Sequence, residues 1–543
     1  MTASREHLHL LLGLFLGLLF FVNLGSYGLL EDNEARFLEI AWEMKESGDL
    51  VVPKLNYISH FHKPPATFWI ESLSLKMLGD SESAARIPVV LASIVTVLLT
   101  SFFFTDSRKR MLVALILASN PEFWLLSRTV LTDMYLCLTV TACMASAYVL
   151  LQKESPTAAA AFWTSAALSG LVKGPVGLTI VALALATLNL WNKVSGRQSV
   201  PWKNWMGRRG LALFGLITLP WYIAVCLRFP HLLNYFVEFQ TVQRVATEVH
   251  GRGGPLWFYL PVLLIGFLPW SLALPQALYH AARRADLLDR LLVAWFLPSL
   301  VLFSLSGSKL PTYLLPLFPA MALLVTRYLK ARQARGTTTN YLAGFGLVLG
   351  SAIVVYSCGK LPAELLPGRS SILLSGVVLS FSSGLVLALR RFRSSATCEG
   401  FVGLAFGGFL IALSFGLNSC DSAYSARRPA LELKPRVTNN TTVAELSDHL
   451  HGLPYYLGRR IVQVSYPRET QFEQKDSVSP YLYDDLNDFM TAHKDDEHTI
   501  LILRDSDYDP ASFPGWEVVY QGRWMALEKR SGPKVKAAEP AKI

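Results

Sequence analysis

The sequence predicts a polytopic α-helical membrane protein that carries one small α/β domain outside the membrane. Three observations predict it. Apolar residues make up 52% of the 543 residues and charged ones only 17%, whereas a soluble domain carries about 25% charge. Long apolar runs recur from Leu8 to about Leu417, each close to the roughly 20 residues needed to cross a bilayer. After Asn418 the composition becomes that of a soluble protein. The expected organisation is a transmembrane domain over 1–418 with outer loops at about 31–83 and 229–255, an α/β domain over 419–528, and a disordered tail over 529–543. A large soluble enzyme and a disordered chain are both excluded.

Thirteen candidate spans follow, near 8–30, 84–104, 110–126, 133–151, 157–172, 174–192, 210–228, 256–278, 289–306, 312–329, 340–357, 371–389 and 400–417. The first lacks a small-residue cleavage site before Glu31 and is longer than a signal peptide, so it reads as a retained span. Lys and Arg in short loops set orientation. With the N-terminus in the cytoplasm, the runs Arg108-Lys109-Arg110, Arg283-Arg284 and Arg390-Arg391 all fall inside, and only isolated cations fall outside. Thirteen spans then put the C-terminal domain on the outer, periplasmic side. The net charge of +10 is on this reading a topology signal, and a nucleic-acid partner is not expected. Six cysteines, mostly in or beside spans and without a CxxC pair, read as buried thiols.

Two outer loops hold the unusual chemistry. Residues 31–36 read Glu-Asp-Asn-Glu-Ala-Arg, and the carboxylates of Asp32 and Glu34 can act as a general base or as ligands; the plainer reading is helix capping with surface charge. From Glu34 to Glu46 the spacing is helical, with Phe37, Ile40, Ala41 and Met44 on one face and Glu39, Glu43 and Glu46 on the other. That predicts a helix lying on the membrane surface, capped by Asp32 and Asn33. His231 to Glu248 reads as a second helix of this kind.

Residues 60–69 read His-Phe-His-Lys-Pro-Pro-Ala-Thr-Phe-Trp. The two prolines stiffen the backbone after Lys63, and a lysine so held either pairs with a substrate phosphate or snorkels to a lipid headgroup. His60 and His62 face one side of an extended segment, and with a distant His250 they can hold zinc or another divalent cation. Asp133 opens the fourth span, where an acid holds a cation or a sugar hydroxyl, or caps the helix, with Thr132 as the alternative cap. Lys173 sits in the Lys-Gly-Pro turn between two spans, and Lys309 with Tyr313 lies in another outer turn. Lys63, Lys173, Arg244 and Lys309 thus share one predicted face, which suits an anionic lipid.

In the last 120 residues, 460–465, 499–503 and 517–520 read as strands and 483–493 as a helix.

The run DNEARFLEIAWEMKESGDLVVPKLNYISHFHKPPATFW resembles the first outer loop of membrane glycosyltransferases that use polyprenyl-phosphate sugars, of the lipid A 4-amino-4-deoxy-L-arabinose transferase and protein mannosyltransferase-like kind. SRTVLTDMYL at 127–136, LSGLVKGPVGL at 168–178, PWYIAVCLRFP with FVEFQTVQRV, and SLSGSKLPTYLLPLFPA at 304–320 fit the same pattern in the same order. The resemblance implies a GT-C fold and transfer of an aminoarabinose-like sugar or a hexose from undecaprenyl phosphate to lipid A or a related outer-leaflet acceptor. It implies that Lys63 contacts the donor phosphate, with Arg244 and Lys309 as further candidates, and that Arg36, Lys173 and Tyr313 belong to the same cavity. The base falls to Asp32 or Glu34: the family reads Asp-Glu-x-Arg where this chain has Asn33-Glu34-Ala35-Arg36, and Asp32 one place earlier is favoured. Asp133 is the second acid. The family's Tyr-Phe-Glu metal pattern is here His60-Phe61-His62, with His250 at its distant histidine, so the ligands of a zinc-like ion would be changed. These departures also weaken the case for aminoarabinose as the sugar. A multi-pass protein of the bacterial inner membrane is implied, and no nucleotide site is required, since no P-loop or dinucleotide fingerprint is found. The rival readings are a protein O-mannosyltransferase-like enzyme and a lipid or sugar transporter, the latter expected to place ionisable groups or broken helices at mid-span in related halves.

Overall fold

The computed structural model describes residues 2–201, 205, 207–236, 253–331, 337–359, 363–390, 392, 395–447, 449–465, 481–496 and 498–530. The chain folds as two compact units. One comprises Met1–Ser26 with His62–Leu417, and the other Tyr27–Phe61 with Asn418–Ile543.

The first unit is helical. Its elements begin with α1 (Thr2–Phe21); α2 belongs to the second unit. They continue with α3 (Ala66–Leu78), α4 (Glu82–Ser101), α5 (Ser107–Ala118), α6 (Pro121–Leu126), α7 (Thr132–Leu150), α8 (Pro156–Lys173), α9 (Val176–Val194) and α10 (Arg208–Arg228). Further long helices span Leu287–Leu305, Pro311–Ala331, Thr337–Cys358, Leu366–Leu389 and Thr397–Ser419. Among the described residues nine helices are long and apolar enough to cross a membrane, or ten if one bent pair is a single span. The expected thirteen are therefore not reached. The candidate at 110–126 is broken into α5 and α6, because Asn120 caps a new helix whose first residue is Pro121. The candidate at 256–278 bends by 112° between Leu256–Gly266 and Trp270–Arg284. In α1 only Leu10–Phe21 is apolar, and α8 is not among the nine.

The ends of these helices show how polar backbone is satisfied. The last carbonyls of α1 have no partner within the helix. Arg128, fully buried, donates Nη2 to Val22 O at 2.6 Å and Nη1 to Phe20 O, while Trp124 Nε1 donates to Leu19 O at 3.0 Å. Arg86 Nη1 reaches Leu24 O at 2.8 Å. Two cations at a helix C-terminus also meet its negative dipole. Elsewhere Thr337–Cys358 packs backbone to backbone on Leu366–Leu389: a Cβ on Gly350 would lie 2.8 Å from Gly376 O, so only glycine permits this approach.

A buried carboxylate ties three helix ends together at another point. Asp289 is fully buried. It accepts from Arg284 Nη2 and from Arg327 Nε, each at 2.7 Å. Asp286, which caps Leu287–Leu305, also receives Arg327.

The second unit contains α2 (Glu34–Ser47), the short hairpin β1 (Lys54–Leu55) and β2 (Ile58–Ser59), and a six-stranded sheet. Its strands are β3 (Thr441–Leu446), β4 (Val462–Val464), β5 (Leu482–Tyr483), β6 (His498–Arg504), β7 (Glu517–Gln521) and β8 (Trp524–Arg530), in the order β5-β4-β3-β6-β8-β7. Parallel pairing joins β5, β4, β3 and β6, and β8 and β7 add antiparallel. The run Ile500-Leu501-Ile502-Leu503 has no polar alternation because β6 is covered on both faces. Ile500 and Ile502 pack with Leu433, Val443 and Ala526, and Leu501 and Leu503 pack with Val464, Phe489 and Leu527. The sequence reading omitted β3 and β8. It extended the helix at 483–493, which begins at Leu486 after the strand Leu482–Tyr483. The expected tail starts two residues too early: Lys529 and Arg530 pair with Thr499 and His498, and residues 531–543 lie outside the described residues.

Removing Asp289 should leave Arg284 and Arg327 without their shared acceptor. We expect Asp289→Ala to cost about 2 kcal/mol, the upper range for hydrogen bonds to charge being discounted because Arg284 is partly exposed. Thermal unfolding in detergent should show a lower midpoint; an unchanged midpoint would refute the clamp.

Candidate functional site

The residues singled out in the sequence fall into two groups, one in each unit. In the first unit they gather where α7 begins and α8 ends. Asp133 is the second residue of α7 and is buried. The residue capping α7 is Leu131, with no side-chain cap bond, so neither Asp133 nor Thr132 has the capping role. The carboxylate instead accepts a hydrogen bond from Lys173 Nζ at 2.6 Å. Lys173 ends α8, and Gly174 at φ +69° turns the chain into α9. The lysine is thus a buried partner, with 9% of its side chain exposed. Its ammonium lies 4.7 Å from the centre of the Tyr313 ring, a cation–π distance.

Lys309 is also buried and donates Nζ to Ser306 O at 2.7 Å. A Cβ on Gly254 would lie 3.4 Å from Lys309 Cδ, so the far end of the second long loop passes this lysine. Arg244, His250 and most of the second loop, including the predicted helix to Glu248, lie outside the described residues. Lys63 is half-buried. Pro64 and Pro65 follow it, and Pro65 caps α3, as the stiffened backbone predicted. One contact fixes α3 against α7: Tyr135 Oη, two residues past Asp133, donates to Glu71 Oε1 at 2.6 Å. The sequence reading did not single out Glu71 or Tyr135, since neither carries a motif.

In the second unit, the expected surface helix α2 is largely buried on both faces, the acidic one included. Glu39 is fully buried and Glu43 nearly so, and only Glu46 is exposed. The reason is the β1–β2 turn. Asn56 and Tyr57 both adopt positive φ, the pattern of a type I′ turn, which aims their amides outward. Asn56 N donates to Glu39 Oε1 at 2.9 Å, and Tyr57 N donates to both Glu43 oxygens at 2.9 Å. Asn56 in turn exchanges hydrogen bonds with the Ile461 backbone. Burial drives the Glu39 carboxyl well above the usual range, with the neighbouring Glu43 and Glu445 adding to it, and pushes Glu43 up to about 7.

The expected caps are absent as well. Asn33 occupies the cap position of α2 without a side-chain bond. Asp32 takes φ +68° and stays exposed, a conformation that Asp tolerates better than most residues. Glu34 is fully buried and accepts from Leu30 N at 3.0 Å, so its carboxylate closes the local turn. Glu31 accepts from the amides of Ala426 at 3.1 Å and Gly452 at 3.2 Å. Burial pushes its carboxyl up to about 8 despite those two amides.

Arg36 Nε donates to His451 Nε2 at 3.1 Å. His451 Nδ1 faces Glu39 Oε2 at 3.6 Å, and His449 Nε2 lies 3.8 Å from the same oxygen. Burial, with His449, Arg36 and His60 nearby, holds the His451 imidazole well below its usual range. The expected set His60, His62 and His250 is not assembled among the described residues: His250 lies outside them, and His60 and His62 fall on either side of the boundary between the units. The buried His–Glu grouping is Glu39 with His449 and His451. Its signal was present as a second His-x-His at 449–451, passed over because it lies in the soluble domain.

Two outcomes follow. Asp133→Asn strands a buried ammonium, so this variant and Lys173→Gln should each lose about 3 kcal/mol, with the double variant losing less than their sum. Additive losses in unfolding experiments would dissolve the pair. Glu31 titrates at about 4.5 unfolded and about 8 folded. A raised pKa stabilises the fold below the unfolded value, and that stability is lost as pH rises through 8, by roughly 1.4 kcal/mol per pH unit inside the window. Glu31→Gln should flatten the fall in melting temperature between pH 5 and 8; an equal slope in both proteins would exclude Glu31 as its source.

Comparison with known proteins bears on what this arrangement is for. Residues 8–236 match the family described as dolichyl-phosphate-mannose-protein mannosyltransferase. The chain is 29% identical over 411 residues to the undecaprenyl phosphate-alpha-4-amino-4-deoxy-L-arabinose arabinosyl transferase of Serratia proteamaculans, covering 73% of this chain and 74% of that one. It is 28% identical over 438 residues to the transferase of the same name from Pectobacterium carotovorum, covering 76% and 78%. In fold it is similar to the crystal structure of ArnT from Cupriavidus metallidurans bound to undecaprenyl phosphate, with a TM-score of 0.85 and 23% identity over 97% of this chain and 99% of that one. Its apolar helices and these relatives make it a multi-pass protein of the bacterial inner membrane. The chain is therefore similar in sequence to the aminoarabinosyl transferases and, over 8–236, to the protein mannosyltransferase family, and similar in fold to ArnT.

Proposed function

We propose that this enzyme moves a sugar from undecaprenyl phosphate to lipid A at the outer leaflet. The observation that carries the proposal is the likeness in sequence to the aminoarabinosyl transferases along about three quarters of the chain. The sugar is aminoarabinose or a close relative. The N-terminus lies in the cytoplasm and the second unit in the periplasm, which agrees with the Lys and Arg clusters at 108–110, 283–284 and 390–391.

In the reaction an acceptor oxygen attacks the anomeric carbon, the bond from that carbon to the phosphate oxygen breaks, and undecaprenyl phosphate leaves. One displacement inverts the anomeric centre. Negative charge grows on the leaving phosphate, and cations placed beside it lower the barrier. Lys63 takes this role, with Lys309 and Arg244 in support. Asp133 holds Lys173, and the Tyr313 ring lies against the same ammonium, so this pair orients rather than transfers protons.

Asp32 accepts the proton of the acceptor. Two features favour it over Glu34: its carboxylate is exposed, while that of Glu34 is buried and engaged with the Leu30 amide. Where the acceptor is already an ionised phosphate, positioning replaces base catalysis. Arg36 is the third residue of α2, the helix that Glu34 opens. A zinc-like ion at His62 and His250 would lend further positive charge near the donor phosphate.

The test uses purified protein, a synthetic undecaprenyl-phosphate sugar and lipid A, and measures free undecaprenyl phosphate. Lys63→Ala should lower turnover by roughly 10²–10³ and Asp32→Asn by roughly 10²–10⁴, with Glu34→Gln at least tenfold more active than Asp32→Asn. Full activity in both Lys63→Ala and Asp133→Ala would overturn the site. Lipid A of unchanged mass in cells with and without the protein would overturn the acceptor.

A further inference from the structure

We propose that Glu39, His449 and His451 form a binding site for one zinc-class divalent cation, which locks α2 to the β-sheet domain within the second unit. The site is distinct from the ion proposed at His62 and His250, although His60 lies near His451. One ligand atom from each of the three residues lies within 4.8 Å of the other two, and all three side chains are buried. Two imidazoles and one carboxylate are a donor set of the borderline metals, zinc above all.

The two carboxylate–imidazole distances are close to those of a metal site, and the two imidazole nitrogens lie within 4.8 Å of each other. Tetrahedral zinc with bonds of about 2.05 Å sets its ligand atoms roughly 3.3 Å apart. Glu39 Oε2 lies 3.6 Å from His451 Nδ1 and 3.8 Å from His449 Nε2, so contraction by a few tenths of an ångström brings them into range. Those separations exceed a hydrogen bond. Glu39 Oε2 and His451 Nδ1 form no hydrogen bond although each is buried, a costly arrangement for two polar atoms aimed at one point.

The surroundings are also those of a metal ligand shell. His449 Nδ1 lies 2.6 Å from Glu445 Oε2. That contact places the ring proton on Nδ1 and leaves the Nε2 lone pair facing Glu39, the carboxylate–histidine arrangement that orients metal-binding imidazoles. Glu39 Oε1 is held by Asn56 N, which leaves Oε2 to the cation. The His449 and His451 rings lie 4.4 Å apart at 80°, so the alternation of the short segment brings both rings to one side.

One bond must change on loading. Arg36 Nε now donates to His451 Nε2, which puts the ring proton on Nδ1. Coordination through Nδ1 moves that proton to Nε2 and requires Arg36 to swing away. Arg36 therefore competes with the cation, and Arg36→Gln should tighten binding.

The experiment uses full-length protein in detergent, stripped with a chelator and titrated with cobalt(II) alone. Expected at this site is one cobalt with the visible absorption of a tetrahedral site, counted apart from any ion at His62 and His250 by repeating the titration in His62→Ala, and at least 100-fold weaker binding in His449→Gln and His451→Gln. Glu445→Gln should weaken binding by about 10–100-fold, and His62→Ala should leave it unchanged. Because substituting a buried histidine can unfold the domain, melting is measured with and without zinc: wild type should gain stability with zinc, and His451→Gln should not. No cobalt absorption in the wild type, undiminished binding in both histidine variants, or loss on His62→Ala with retention in His451→Gln would each overturn the site.

Discussion

A backbone placed in hydrocarbon has no water to bond with, and every amide and carbonyl must find its partner inside the protein. That constraint makes the first unit a set of helices and pushes its ionisable groups to the helix ends. The carbonyls at the end of α1 are met by Arg128 and Arg86. The start of α7 and the end of α8 meet through Asp133 and Lys173. Leu287–Leu305 is tied to its neighbours through Asp289. In each case a charge that would be costly in an apolar setting is matched by an opposite charge or by orphan backbone.

The same accounting applies to the cations expected to meet a phosphate. Arg128 is used by α1, and Lys173 is neutralised by Asp133. Counting positive residues on one predicted face overstated the charge available to an anionic lipid, because the count ignores partners. Lys63, held between a His-Phe-His segment and two prolines, is positioned by backbone stiffness together with the Glu71–Tyr135 bond that fixes α3 against α7.

In the second unit the organising groups are carboxylates. Glu31 receives the amide of Ala426, Glu39 and Glu43 receive those of Asn56 and Tyr57 in the following hairpin, and Asn56 is bonded in turn to Ile461. Those bonds draw the acidic stretch around Asp32 into one unit with a sheet that begins four hundred residues later. The helix that reads as amphipathic is therefore buried on its charged side as well as its apolar one. A helix lying on a membrane surface would keep the acids in water; here backbone amides and imidazoles offer them partners instead.

The sequence by itself determined that the chain is a membrane protein, that a soluble α/β domain follows residue 418, and which acids, lysines and histidines resemble those of a sugar transferase. These follow from run length, composition and short motifs, which are local properties. It could not show that Asp133 pairs with Lys173 rather than capping α7, that Glu34 is engaged while Asp32 is exposed, or that Glu39 meets His449 and His451. Each depends on which atoms come close in space, and the farthest of those pairs is separated by some four hundred residues. Only the tertiary structure decides such meetings, because the free energy of a charge is set by what surrounds it once water has been removed.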